Sequence, residues 1–142
     1  MLFSLSAKAQ SEDDAIKAAV NLFFQGMKNA DPAIIESSFA DSAMLQTIMI
    51  TKEGKTIVRN EQPQSMAKAV TRFKPNELDE RIVFETIKSD GTLASVWTPY
   101  NFFAKGKFIH CGTNSFQLVK QNGVWKIQYI IDTRRTTGCK TD

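Results

Sequence analysis

Apolar residues recur at helical spacing near the start of the chain and at alternate positions toward its end. Ile16, Val20, Phe23 and Met27 fall at i, i+4, i+7 and i+11. They make one stripe of an amphipathic helix, which Phe24 widens. Ser11 stands at the capping position with Asp14 three residues on, and Glu12, Asp13 and Asp14 face the positive end of the dipole. Gly26 weakens the last turn, and Lys28-Asn29 close it. Asp31-Pro32 opens a second helix: Asp31 caps, and Pro32 takes the first position, where a missing N–H costs nothing. Ile34, Ile35 and Phe39 give it a short buried face, and it ends near Ala40-Asp41-Ser42. Residues 43–50 then read as a strand, Lys52 to Lys55 as a turn, and residues 56–59 as the returning strand of a β-hairpin. Asn60 to Pro63 opens a third helix with Met66, Val70 and Phe73 as its buried stripe, and Pro75 prevents its continuation.

From residue 80 the period changes to two. Residues 80–89, with Ile82, Phe84 and Ile87, read as one strand, followed by strands over 93–103, 108–119 and 124–134. Asp90-Gly91, Lys105-Gly106 and Asn122-Gly123 are the turns between them. Pro99, inside the second of these strands, requires a bulge or an edge position. Helices grouped first and a meander grouped last indicate an α+β fold with a curved antiparallel sheet and its helices on one face.

The 142 residues make one ordinary domain. Folding buries about two-thirds of the surface of such a chain, enough for a core that needs no metal. The composition adds a contrast: fourteen aromatic residues stand beside one His and two Cys, and nine of the fourteen fall in residues 84–129. One His and two Cys build no four-ligand zinc site without carboxylates. Seven scattered Gly give no phosphate-cradling loop. No metal and no cofactor is therefore expected. The net charge of +3 is mild and interspersed, with Arg134-Arg135 the one tight basic pair, so no nucleic-acid partner is expected. No 18-residue apolar run is present for a membrane span.

Residues 1–9 carry a short apolar run and then Ala7-Lys8-Ala9, small-x-small before Gln10, which reads as the remnant of an export signal. An exported protein, periplasmic or extracellular, is expected; the other reading is a frayed N-terminus on a cytoplasmic protein. Two states of the cysteines follow. In an oxidising compartment Cys111 and Cys139 can pair; otherwise Cys111 is a buried strand residue and Cys139 sits in a loose tail. The working domain is residues 10–135, and residues 136–142 form the tail.

Strand parity suggests what faces the helices. Phe116 and Leu118 are the apolar parity of their strand, which places Asn114, Gly112 and His110 on the same face. Trp125, Ile127, Tyr129 and Ile131 are the apolar parity of the last strand, with Asp132 on the other side. A two-residue turn at Lys105-Gly106 sets Asn101 opposite His110 and Trp97 opposite Asn114, while a one-residue shift brings Tyr100 or Thr98 inward instead. Both parities of residues 96–103 are apolar, which predicts that another subunit covers the outer face.

The element order, the Phe23-Phe24 pair, the corner Phe39-Ala40-Asp41-Ser42-Ala43, the run Val96-Trp97-Thr98-Pro99-Tyr100 to His110-Cys111-Gly112, and the hairpin ending Gly123-Val124-Trp125-Lys126-Ile127 resemble the NTF2-like superfamily over about residues 11–135. The third piece looks like the subgroup labelled "putative lumazine-binding". The resemblance implies a cystatin-like cone with three helices from the N-terminal half on the concave face of the sheet, and sheet-to-sheet homodimers. It leaves function open, because this superfold hosts unrelated activities. The leading expectation is a binding module for a small flat or amphipathic molecule, held by Trp97, Tyr100, Asn101, His110, Asn114 and Tyr129. One alternative is a SnoaL-like or dehydratase-like enzyme using His110 as acid/base with a carboxylate, Asp41 or Asp132, beside it. Another is a protein-interaction domain using the sheet face. The acid–tyrosine pattern of ketosteroid isomerase and the His-rich dyad of scytalone dehydratase find no clear match among these residues.

Overall fold

The computed structural model describes residues 11–141. The expected export remnant, residues 1–9, lies outside the described residues. The elements run α1 (Glu12–Lys28), α2 (Pro32–Ser38), β1 (Phe39–Ile50), β2 (Thr56–Glu61), α3 (Pro63–Val70), β3 (Leu78–Ile82), β4 (Thr86–Asp90), β5 (Leu93–Ala104), β6 (Lys107–Gln121) and β7 (Val124–Thr133). One curved, unclosed sheet has the order β2-β1-β7-β6-β5-β3, and β4 pairs with β5 beyond β3. The three helices pack on it, as the resemblance implies. The sheet is mixed rather than wholly antiparallel, because β1 lies parallel to β7. Among the described residues no helix is long and apolar enough to cross a membrane.

The caps act as the sequence suggests. Ser11 Oγ accepts from the Asp14 N–H at 3.1 Å, and Asp31 Oδ1 accepts from the N–H groups of Ala33 and Ile34 at 3.0 and 3.2 Å. Such a cap contributes about 1 kcal/mol. Gly26 has a packing role that helix propensity does not reveal. A Cβ there would lie 2.8 Å from Ile35 Cγ1, so the missing side chain lets α2 seat against α1. The third helix ends at Val70, short of Pro75. Thr71, Arg72 and Phe73 instead bond back to the carbonyls three residues earlier, a tightened turn that aims Phe73 under the sheet.

Three irregularities set which side chains face the helices. The stretch 80–89 is two strands, not one. Residues 83–85 stand opposite Thr98 and Pro99, between the pairs Ile82–Tyr100 and Thr86–Trp97. Val83 donates to the Pro99 carbonyl at 3.0 Å and Glu85 to that of Trp97 at 3.1 Å. The missing proline donor therefore faces the break, and the bulge falls on the edge partner. In β6, Phe102 pairs with His110 and Phe103 with Phe108, leaving Ile109 extra. In β7, Gln117 pairs with Tyr129 and Leu118 with Ile127, leaving Gln128 extra. Parity reverses there: Trp125 and Ile127 are buried before the bulge, Ile130 and Asp132 after it.

The core lies between α1, α2 and the narrow part of the sheet. Phe116, fully buried, receives the edges of Phe23 and Phe24 at 6.5 and 6.0 Å between ring centroids. Trp125 Nε1 donates to Glu12 Oε1 at 2.8 Å and closes that end. Cys111 and Cys139 form a disulfide, which ties the segment beyond β7 back to β6. Arg135 also pairs with Cys111 through two backbone hydrogen bonds of 2.9 Å.

Candidate functional site

The wide end of the cone is not filled by its own rings. A cavity of about 260 Å³ lies between α1, α3 and the sheet. Its walls are apolar: Phe23 and Met27 from α1, Met66 and Val70 from α3, and Phe73, Leu78 and Ile130. Its floor is polar. Glu80, Tyr100, His110, Asn114, Asp132 and Arg134 converge on it from β3, β5, β6, β7 and the residue after β7.

The irregular registers put these groups together. Asn101 pairs with Cys111 rather than His110, and Thr98 pairs with Asn114 in place of Trp97. The one-residue shift that turns Tyr100 and Thr98 inward comes from the Ile109 bulge and not from Pro99. Tyr100, His110 and Asn114 thus line the cavity. Trp97 and Asn101 do not. Trp97 is 47% exposed on the outer face, and Asn101 donates to the Lys140 carbonyl of the tail. Tyr129 is also off the cavity; the Gln128 bulge turns it away, and its hydroxyl donates to Gln46. Asp41 is exposed at the start of β1 and does not line the cavity.

Asp132 is the centre of the floor. Its Oδ1 accepts from Thr47 Oγ1 at 2.7 Å, and its Oδ2 from Arg134 Nε at 3.2 Å. The Tyr100 hydroxyl has one proton and two acceptors within reach, the Thr133 carbonyl at 2.7 Å and Asp132 Oδ2 at 3.1 Å. Burial, with the charges of Asp132 and Glu80, pushes the Tyr100 phenol far above its ordinary range, so it stays protonated. Asn114 Nδ2 donates to Glu80 Oε1 at 2.9 Å and lies 3.3 Å from Thr98 Oγ1. Desolvation pushes Glu80 up to about 7; the Asn114 hydrogen bond and Arg134 pull it down, and Asp132 pushes it further up. The floor therefore holds a carboxyl that changes charge at neutral pH.

His110 stacks on Phe102 at 5.0 Å and meets the edge of Tyr100 at 5.7 Å. Burial and then the Arg134 charge lower its pKa, while Asp132 raises it. Its Nδ1 is buried with no hydrogen-bond partner among the described residues. Among the described residues the carboxylate–histidine pair that an acid/base role for His110 requires is not formed. Among the described residues no group of three or more His, Cys, Asp or Glu is placed to hold a metal.

Two acids on this floor escape parity reasoning to different degrees. Glu80 carried a usable signal: it shares parity with Leu78 and Ile82, the inward residues of β3. Asp132 carried none, since the Gln128 bulge reverses the parity that Trp125 and Ile127 establish. Of the basic pair, Arg134 turns to the floor and Arg135 to the outer groove beside Cys111.

Comparisons with known proteins agree with this architecture. The model of a family described as "Putative lumazine-binding" matches residues 11–129. An NTF2-like protein of unknown function from Shewanella baltica OS155 superposes with a TM-score of 0.68 at 19% identity, covering 89% of this chain and 95% of that one. A protein of unknown function with a cystatin-like fold from Nostoc punctiforme PCC 73102 gives 0.68 at 12% identity, covering 92% and 97%. An NTF2-like protein from Methylobacillus flagellatus KT gives 0.65 at 16% identity, covering 94% and 100%. At these identities the likeness is one of fold. Comparison with curated proteins returns no match.

Proposed function

The chain belongs to the family described as "Putative lumazine-binding", and from that premise we propose that its cone binds one small, flat or amphipathic molecule. One observation carries the reading: the cavity of about 260 Å³ has apolar walls and a floor of convergent polar groups. Ligand sites run from about 300 Å³ upward, so the occupant is small, one or two fused rings. The pteridine ring of the family's description is of that size. The rings of Phe23, Phe73 and Phe102 offer faces and edges to such a molecule, and the floor fixes its orientation.

The test uses naphthylmethanol, a neutral bicyclic alcohol, followed by its own fluorescence. Saturable binding of one molecule per chain is expected. Met66→Trp, which places an indole in the cavity, is expected to abolish it. Absence of saturable binding of this molecule and of its amine and carboxylate counterparts to the unaltered protein would remove the reading.

The working form we propose is an exported homodimer joined through the outer sheet face. Trp97, Leu93, Ile109 and Val83 are 47, 49, 44 and 65% exposed, an apolar surface that water alone covers poorly. The Cys111–Cys139 disulfide supports an oxidising compartment. Light scattering at micromolar concentration is expected to give the mass of two chains, and Trp97→Glu that of one. A single-chain mass for the unaltered protein would argue against the dimer.

A further inference from the structure

The charges on the cavity are unbalanced. Glu61, Glu80 and Asp132 line it against a single cation, Arg134. Arg134 is already committed, with its Nε 3.2 Å from Asp132 Oδ2. Glu80 has no such partner. Its one hydrogen bond, from Asn114, falls on Oε1, which leaves Oε2 without one among the described residues. The helices bring no charge to the cavity; their contribution is Phe23, Met27, Met66, Ala69 and Val70. We infer that the occupant is an amphipathic cation, an apolar ring system carrying a protonated amine, with the ammonium on Glu80 Oε2 and the ring between α1 and α3.

The inference rests on the reading of the cone as a small-molecule site and deepens it. A carboxylate held in an apolar cavity with an open oxygen is stabilised most by a charge of opposite sign. The groups facing Glu80 are Asp132 and Arg134 from the β7 end, Tyr100 from β5, His110 and Asn114 from β6, and Glu61 from β2. Asp132 and Arg134 largely offset one another. Tyr100 stays a neutral phenol, and the lowered pKa of His110 keeps it neutral at pH 7 and above. An anion gains nothing here beyond what Arg134 already gives to Asp132.

Binding must then move a proton. With Glu80 titrating near 7 in the free protein, an ammonium ligand displaces the proton that Glu80 holds below that pH. The experiment compares three molecules of one shape: naphthylmethylamine, naphthylmethanol and naphthoate. At pH 8 the amine is expected to bind about tenfold or more tightly than the alcohol, and the naphthoate more weakly than either. Between pH 8 and pH 6 the amine is expected to lose about tenfold in affinity while the alcohol changes little. Calorimetry at pH 7 in two buffers of different ionisation enthalpy is expected to register proton release for the amine alone, on the unaltered protein. Glu80→Gln keeps an acceptor for Asn114 and is expected to remove both the amine's advantage and its pH dependence. An amine that binds no better than the alcohol would overturn the inference and leave the cone reading in place. Failure of all three to bind would overturn both.

Discussion

Gly112→Ala is expected to destabilise the protein by more than about 4 kcal/mol, enough to keep much of it from folding. A Cβ at this position would sit 1.9 Å from the Thr133 carbonyl oxygen and 2.7 Å from its carbon. Both are backbone atoms of the neighbouring strand, so no side chain can swing aside. The same Cβ would lie 3.0 Å from the Tyr100 hydroxyl, which bonds to that Thr133 carbonyl at 2.7 Å. Relief requires β6 and β7 to part where Tyr100, Asp132 and Arg134 meet. Urea unfolding of whatever soluble variant is recovered measures the loss, and a melting temperature more than about 10 °C lower is expected. Ser115→Ala, three residues along the same strand, is expected to change stability by less than about 1 kcal/mol. A Gly112→Ala protein with near-normal stability would show that the two strands stand further apart than described.

The second large effect is a dependence of stability on pH with one residue as its source. Glu80 titrates at about 7 in the fold against 4.5 for an ordinary glutamate. Between those values the native state keeps a proton that the unfolded chain has released. Stability from this group is therefore full below pH 4.5, falls as pH rises, and levels off above 7. At about 1.4 kcal/mol per unit, the interval amounts to about 3 kcal/mol. His110 works in the opposite direction. Its lowered pKa makes protonation destabilising, so its contribution rises with pH up to its ordinary value of 6.5. The profile of the unaltered protein sums the two, and the difference from Glu80→Gln isolates the carboxyl. Glu80→Gln is expected to be more stable than the unaltered protein by about 3 kcal/mol at pH 8 and by about 1 kcal/mol or less at pH 5. A difference independent of pH would remove Glu80 as the source. The strain of an ionised Glu80 is also what an ammonium ligand would relieve.

The same acid shows where sequence reasoning stops. Helix starts were readable because a cap is local: Ser11 and Asp31 bond to residues two or three positions away. The hairpins were readable from Asp90-Gly91 and Asn122-Gly123 for the same reason. The floor of the cavity was not, because it depends on strand register. Ile109 and Gln128 are ordinary residues for a regular strand, yet each is the extra residue of a bulge. The first moves Trp97 and Asn101 outward and Tyr100 inward. The second trades Tyr129 for Asp132. Alternation of apolar and polar residues predicts a face only while the alternation is unbroken. His110 and Asn114 were found on the right side because they lie on the same uninterrupted run as Phe116. Pro99 announced a bulge, but its consequence fell on the partner, where Val83 to Glu85 interrupt the edge.

The parallel pairing of β1 with β7 has a consequence for the order in which the protein is made. Phe39 meets Ile127 and Leu45 meets Ile130, partners about 85 residues apart in the chain. During synthesis the β1–β2 hairpin appears early, with one edge unpaired, and waits for the last strand to pair with it. Contacts of such long range form slowly, and an open edge is a template for pairing with the wrong chain. Leu45, Asp132 and Arg134 come together on the cavity only when β7 docks, so the pocket is among the last parts of the molecule to exist. A chain cut short before residue 124 would carry most of the core residues and none of the strand that joins the two halves of the sheet.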